Sequence, residues 1–170
     1  MFGHRRRDRL IALVLSVAAP LVLGGAGGVI TASAIAGWYA ELAKPPWNPP
    51  SWLFGPVWTA LYIAMGIAAW RIWRRGTVPG ASPALRADVR SALLVYVAQL
   101  ALNAGWTPVF FGLKRIDFAL AIIVVLLVAI VETVRRFYRL DRPAALLLLP
   151  YLGWVAFATA LNGSIWLLNR

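Results

Sequence analysis

Long stretches without a formal charge decide what this chain can fold into. Arg9 and Glu41 enclose 31 uncharged residues, Lys44 and Arg71 enclose 26, Arg90 and Lys114 enclose 23, and Arg142 and Arg170 enclose 27. A helix crosses the hydrocarbon of a bilayer with about 20 apolar residues, so each of these four stretches suffices alone. A further stretch, fourth in chain order, holds 14 residues between Asp117 and Glu132. It reaches the required length when the long charged side chains at its ends extend toward the interface. The expected spans are 10–30, 51–70, 91–111, 116–134 and 143–168. They use nearly all of the 170 residues and leave no room for a soluble domain. The expected fold class is an all-α membrane protein, a five-transmembrane-helix bundle forming one membrane domain over residues 1–170.

The cations set its orientation. Of 17 Lys and Arg, the four at Arg5, Arg6, Arg7 and Arg9, the five from Arg71 to Arg90 and the four from Arg135 to Arg142 all fall on one side. Only Lys44, Lys114, Arg115 and Arg170 fall on the other. Positive residues stay in the cytoplasm, so in a bacterial cytoplasmic membrane the N-terminus is expected inside and the C-terminus outside. The first segment also has features of a secretory signal, with a basic start and Ala32-Ser33-Ala34 as a cleavage-like tripeptide. Its apolar stretch exceeds the 7–15 residues typical of a signal, so it is expected to remain as a span.

Several chemistries drop out. The chain has no cysteine and a single histidine, His4, beside an arginine run. Thiolate or histidine metal sites, disulfides and a His-based triad are therefore not expected, no metal is assigned and no cofactor is required. The net charge of +11 is spread around apolar spans. Nucleic-acid binding, which needs a basic patch on one face, is not expected.

Local features refine this picture. Pro20 precedes Gly24, Gly25, Gly27 and Gly28, a pattern that permits close helix packing and weakens the helix near its outer end. The following loop carries four prolines in the six residues 45–50, with Trp38, Tyr39, Trp47 and Trp52 around them. Proline fixes φ and blocks a regular helix, so the loop reads as a stiff aromatic lid. Residues 76–83 read as a turn. Arg71, Arg74 and Arg75 are expected on anionic headgroups. Glu132 is expected to pair locally with Arg135 and Arg136.

Nine tryptophans require their own account. Interfacial belts explain Trp70, Trp73 and Trp166, and also Trp38, Trp47 and Trp52 near the loop. Trp58 and Trp154 lie about two turns or more inside their spans, and Trp106 is intermediate. At 100° per residue, Trp58, Tyr62 and Met65 share a face, as do Gln99, Asn103, Trp106 and Phe110, and Tyr151, Trp154, Ala158 and Asn162. Amides in lipid need partners, so these faces should turn inward and enclose an indole-walled cavity in the outer half. Flat indoles favour large planar or rigid apolar guests, such as a tetrapyrrole or a sterol-like molecule. Haem held through iron fits less well, because its usual His or Cys ligand is missing from the spans.

These residues resemble the TspO/MBR family, the tryptophan-rich sensory proteins and the translocator proteins, also called peripheral benzodiazepine receptors. The resemblance rests on Trp38-Tyr39 with Lys44-Pro45-Pro46-Trp47-Asn48-Pro49-Pro50, and on Gly55-Pro56-Val57-Trp58. It continues through Asn103-Ala104-Gly105-Trp106-Thr107-Pro108-Val109-Phe110-Phe111-Gly112 and Pro150-Tyr151-Leu152-Gly153-Trp154-Val155-Ala156-Phe157-Ala158-Thr159. It implies a five-helix bundle, typically a homodimer, with a pocket under the first loop for porphyrins such as protoporphyrin IX. Some members also take cholesterol or benzodiazepine-site ligands. Carried over by motif, the ligand-binding candidates are Tyr39, Trp47, Trp58, Tyr62, Asn103, Trp106, Trp154 and Ala158. Trp58 and Trp154 match residues implicated in light-dependent porphyrin breakdown in bacterial relatives. The family's sterol motif needs a basic residue soon after Tyr151, and here the next is Arg170.

Ala98, Ala101 and Gly105 form a small-residue face roughly 120° from the amide face, the expected contact for a second protomer. A ligand-binding membrane receptor or sensor is the expected function. A transporter of porphyrin or sterol-like molecules is the alternative, although no two-half repeat or mid-membrane coupling carboxylate is present. Enzyme activity would have to be indole photochemistry, since no acid–base pair or activated nucleophile is in evidence.

Overall fold

The computed structural model describes residues 2–35 and 37–170, apart from the side chains at positions 2–6 and 33. His4, Arg5, Arg6 and Ser33 therefore lie outside the described side chains. The described residues form helices α1 (Phe2–Ile35), α2 (Trp38–Glu41), α3 (Phe54–Gly76), α4 (Pro83–Thr107), α5 (Ile116–Leu140), α6 (Arg142–Leu146) and α7 (Leu149–Leu168). A 3₁₀ turn at Ser51–Leu53 leads into α3, and a π-helical turn at Pro108–Gly112 follows α4. Five helical segments are long and apolar enough to cross a membrane, so the chain is an integral, multi-pass membrane protein with a five-helix bundle.

The helices overrun the expected spans, mostly at the arginine-rich end, because a charge ends a hydrocarbon span without ending a helix. The true stops are local. Ser82 caps α4 by accepting from the Leu85 amide at 3.1 Å, with Pro83 at the first helical position. Gly80 supplies the left-handed φ of +82° in the turn before it. The last span is divided between α6 and α7, where Pro150 has no amide to continue the ladder.

Close packing begins where glycine removes a side chain. A Cβ on Gly66 would lie 2.5 Å from Val17 Cα and 2.6 Å from the Ser16 carbonyl oxygen, so α1 and α3 meet backbone to backbone. Below this contact Met65, Ala68 and Ile72 are fully buried, and Tyr96 stacks on Phe137 at 6.0 Å.

The structure assigns Arg71, Arg74, Arg75 and Glu132 specific partners. Arg71 and Arg75 have a protein partner that their position after a span does not suggest: each places Nη2 3.0 Å from the Asp141 carboxylate. Asp141 is only 5% exposed and also caps α6 through the Ala144 amide at 3.0 Å. Arg74 instead lies over the Trp70 ring, 4.6 Å from its centroid. Among the described residues Glu132 pairs with Arg136, at 2.7 Å, while the same guanidinium bonds Ser91 on α4. One turn of helix brings Arg136 over Glu132, which bears out the expected local pair with this one of its two candidates.

Burial pushes the Asp141 carboxyl up, but the Ala144 amide and the Arg71 and Arg75 guanidinium groups outweigh it and hold it below the usual carboxylate range. A depressed folded value stabilises above the unfolded value near 3.9, and that stability is lost as pH falls through the folded value. Asp141→Asn keeps the capping oxygen and removes the charge. At pH 7 it is expected to cost about 1–3 kcal/mol, discounted for the partial exposure of both arginines. Thermal unfolding in detergent along an acid titration from pH 7 checks this, with the gap closing as pH falls through the folded carboxyl value. Equal midpoints at pH 7 would contradict the assignment.

Candidate functional site

At the opposite end from the arginines, the bundle encloses a cavity of about 450 Å³. Volumes of about 300–1,000 Å³ are usual for small-molecule sites. Helix α3 contributes Phe54, Trp58 and Tyr62, α4 contributes Asn103 and Trp106, and α7 contributes Trp154, Ala158 and Asn162. The glycine run of α1 forms another wall, Ile123 and Leu126 come from α5, and Tyr39 enters from the loop end. None of the described lining residues is charged.

The glycines divide the labour along α1, which runs unbroken through them. A Cβ on Gly24 would meet the Tyr62 ring at 2.0 Å, so glycine there lets the ring edge lie against the backbone. Positions Gly25 and Gly28 have nothing within 4 Å of a Cβ. They border open space, so close packing accounts for only part of the run.

The aromatic groups are held by one another. Trp58 stacks on Tyr62 at 5.2 Å and meets Tyr151 edge-on at 6.2 Å. Trp106 stacks on Phe110 at 4.9 Å, while Trp154 packs between Phe54 at 5.9 Å and Phe157 at 5.6 Å. Offset and edge-to-face arrangements of this kind fix ring orientation beyond simple burial. The π-helical turn inserts an extra residue per turn, with the Leu113 amide donating to the Pro108 carbonyl at 2.8 Å, and within it Phe110 is buried beneath Trp106.

The amides are inside, as their need for partners predicts, and Asn103 and Asn162 are held by tyrosine, tryptophan and backbone groups, whereas the buried Gln99 Nε2 has no partner among the described residues. Tyr62 Oη donates to Asn103 Oδ1 at 2.9 Å, Asn103 Nδ2 donates to Tyr151 Oη at 3.2 Å, and Tyr151 Oη donates to Gln99 Oε1 at 2.8 Å. Separately, Trp106 Nε1 donates to Asn162 Oδ1 at 3.1 Å, and Asn162 Nδ2 donates to the Ile116 carbonyl at 3.1 Å. These bonds tie α3, α4, α7 and the start of α5 together. These interhelical bonds stiffen the walls and leave the surface toward the cavity dominated by rings and aliphatic carbon.

Seven of the eight residues singled out from sequence come to this one cavity: Tyr39, Trp58, Tyr62, Asn103, Trp106, Trp154 and Ala158. Trp47 does not line it. A turn closed by the Asn48 amide on the Pro45 carbonyl at 3.0 Å carries Trp47 outward, where it is 45% exposed and lies edge-on to Phe157 at 5.6 Å. It therefore touches a neighbour of Trp154 without reaching the void.

The loop over the cavity is pinned by groups that no helical period marks. Lys44 Nζ donates to the carbonyls of Tyr39 at 2.7 Å, Leu42 at 2.8 Å and Ala40 at 3.1 Å. Asn169 accepts from the Ala43 amide at 3.0 Å and donates to the Ala43 carbonyl at 2.9 Å. Tyr39 Oη donates to Asn48 Oδ1 at 3.0 Å, and burial raises the Tyr39 phenol above its ordinary value, keeping it a neutral donor. Phe54, Leu161 and Ile165 were also missed as wall residues. For Leu161 and Ile165 a signal existed, since both continue the helical face of Trp154 and Ala158.

With this geometry in view, comparison with known proteins is informative. The TspO/MBR family model matches residues 16–167. The chain is 40% identical over 161 residues to the tryptophan-rich protein TspO of Chlorobaculum tepidum, covering 95% of this chain and 98% of that one. It is 43% identical over 132 residues to the tryptophan-rich sensory protein of Cereibacter sphaeroides, covering 78% and 77%. It is 39% identical over 132 residues to the translocator protein of Homo sapiens, covering 76% and 73%.

Proposed function

Because this chain belongs to the TspO/MBR family, we propose that it is a membrane receptor or sensor that binds a porphyrin, or a similar flat hydrophobic ring system, in the Trp-lined cavity. The observation that carries the reading is the convergence of Trp58, Trp106 and Trp154 from three different helices on one uncharged cavity of about 450 Å³. Such walls recognise a guest by stacking and dispersion. No Asp, Glu, His, Lys, Arg or Cys is among the described lining residues, so what these walls offer a guest is chiefly apolar contact. The arginine-rich end belongs in the cytoplasm by the positive-inside rule, which puts the cavity in the outer half of a bacterial cytoplasmic membrane. Ala98 and Ala101 are exposed on the outside of the bundle, and a Cβ on Gly105 would meet nothing within 4 Å. A second copy can approach closely there to form a homodimer.

Titration with protoporphyrin IX tests the reading. Tryptophan fluorescence of the detergent-solubilised protein should quench to saturation. Trp154→Ala should weaken the apparent affinity at least about ten-fold, as expected for removal of a central aromatic contact. Quenching that rises without saturating, equally in both proteins, would mean simple partition into the micelle and would reject the site.

A further inference from the structure

A second concavity, of about 350 Å³, lies at the arginine-rich end, between the end of α3 and the beginning of α4. Its floor is a close approach of the two helices: a Cβ on Gly76 would lie 3.1 Å from Val89 Cγ1, and Val89 is buried. Trp73 and Leu93 line it, and Leu94 and Val97 carry it along α4. These last two are 61% and 58% exposed, so the trough opens sideways toward lipid. Arg86 and Arg90 stand at its polar end, on the same helical stripe as Leu93 and Val97.

Depth and charge together point to an occupant. At 1.5 Å per residue, Val97 lies about 16 Å along α4 from Arg86, which matches one leaflet, half of a hydrocarbon core about 30 Å thick. The trough thus has cations where headgroups lie and aliphatic side chains where an acyl chain lies, with Trp73 beside the interface. Arg71 and Arg75 share the carboxylate of Asp141, and Arg136 pairs with Glu132. Arg86 and Arg90 form no ion pair among the described residues. Their chain neighbour Asp88 lies about 200° around the helix from each of them. Two unneutralised guanidinium groups one turn apart match a phosphodiester. A zwitterionic headgroup would bring a competing cation of its own.

We propose that this groove binds one anionic phospholipid, its phosphate held by Arg86 and Arg90 and one acyl chain laid along Leu93, Leu94 and Val97. The site is separate from the aromatic cavity and does not depend on what that cavity binds.

Native mass spectrometry of the full chain tests this after reconstitution in equimolar phosphatidylglycerol and phosphatidylcholine. The native protein should retain a phosphatidylglycerol adduct about ten-fold over phosphatidylcholine, on the scale expected for two basic residues at a membrane surface. R86Q/R90Q should bring the two lipids to parity, while R135Q/R139Q, at the same end but off the groove, should keep the preference. No preference in the native protein, or equal loss in both double variants, would overturn the proposal. So would displacement of the adduct by millimolar glycerol 3-phosphate, which would indicate a free-anion site. Should R86Q/R90Q fail to assemble, Val97→Trp decides, because it fills the trough and spares both arginines. Loss of the adduct is expected, and full retention overturns the site.

Discussion

An Ala158→Phe variant is expected to assemble like the native protein and to bind protoporphyrin IX about a hundred-fold more weakly, a loss of about 2.8 kcal/mol. Ala158 sits on α7 one turn from Trp154, half-buried, on the wall of the aromatic cavity. A phenyl ring added there projects into space that is empty in the folded protein, so it displaces guest volume and not packed protein atoms. The hydrogen bonds that hold the walls, Tyr62 to Asn103 and Trp106 to Asn162, do not involve this side chain. Fluorescence titration gives the affinity, while gel filtration and the thermal midpoint report assembly. An unchanged affinity in a folded Ala158→Phe protein would place porphyrin elsewhere. A collapsed thermal midpoint would show that the space beside Ala158 is packed.

Gly66→Val is expected to have the larger effect on the fold, costing at least about 3 kcal/mol, the upper end of the usual overpacking range. Overpacked cores normally recover by rotating a neighbouring side chain. Here the neighbours are backbone, Val17 Cα at 2.5 Å and the Ser16 carbonyl oxygen at 2.6 Å from the added Cβ. Only displacement of α1 from α3 relieves the contact. Gly66→Ala adds the same Cβ but gains up to about 1 kcal/mol of helix propensity, so its loss should be smaller. Gly28→Ala is the internal control, because its Cβ meets nothing within 4 Å and the change should be neutral or slightly stabilising. Thermal unfolding in detergent ranks the three. A native-like midpoint for Gly66→Val would contradict the close α1–α3 contact.

The contrast between Gly66 and the glycine run of α1 shows where sequence reading loses its grip. A run of four glycines attracts notice and invites a packing explanation, yet two of the four face open space. The isolated Gly66 meets the backbone of α1 at Ser16 and Val17, and nothing around it in the chain announces that. Arg71 and Arg75 behave similarly. Their position after a span suggests headgroups, but their partner Asp141 lies 70 and 66 residues away. Trp47 sits at the centre of the proline-rich loop motif and still misses the cavity, because a four-residue turn swings it outward. Asn169, which pins the loop at Ala43, sits beyond any helical pattern.

What the sequence determined by itself is the set of rules that act within one helix. Uncharged length dictates the number of spans, and the 3.6-residue period puts Trp58, Tyr62, Asn103, Trp106, Trp154 and Ala158 on inward faces, because an amide exposed to hydrocarbon has no partner. What only the tertiary structure decided is distance between segments remote in the chain: how closely α1 approaches α3, which carboxylate neutralises which arginine, and how much space remains between the indoles. Those quantities depend on how side chains of different helices interlock. No periodicity along a single strand of sequence encodes the gap between two.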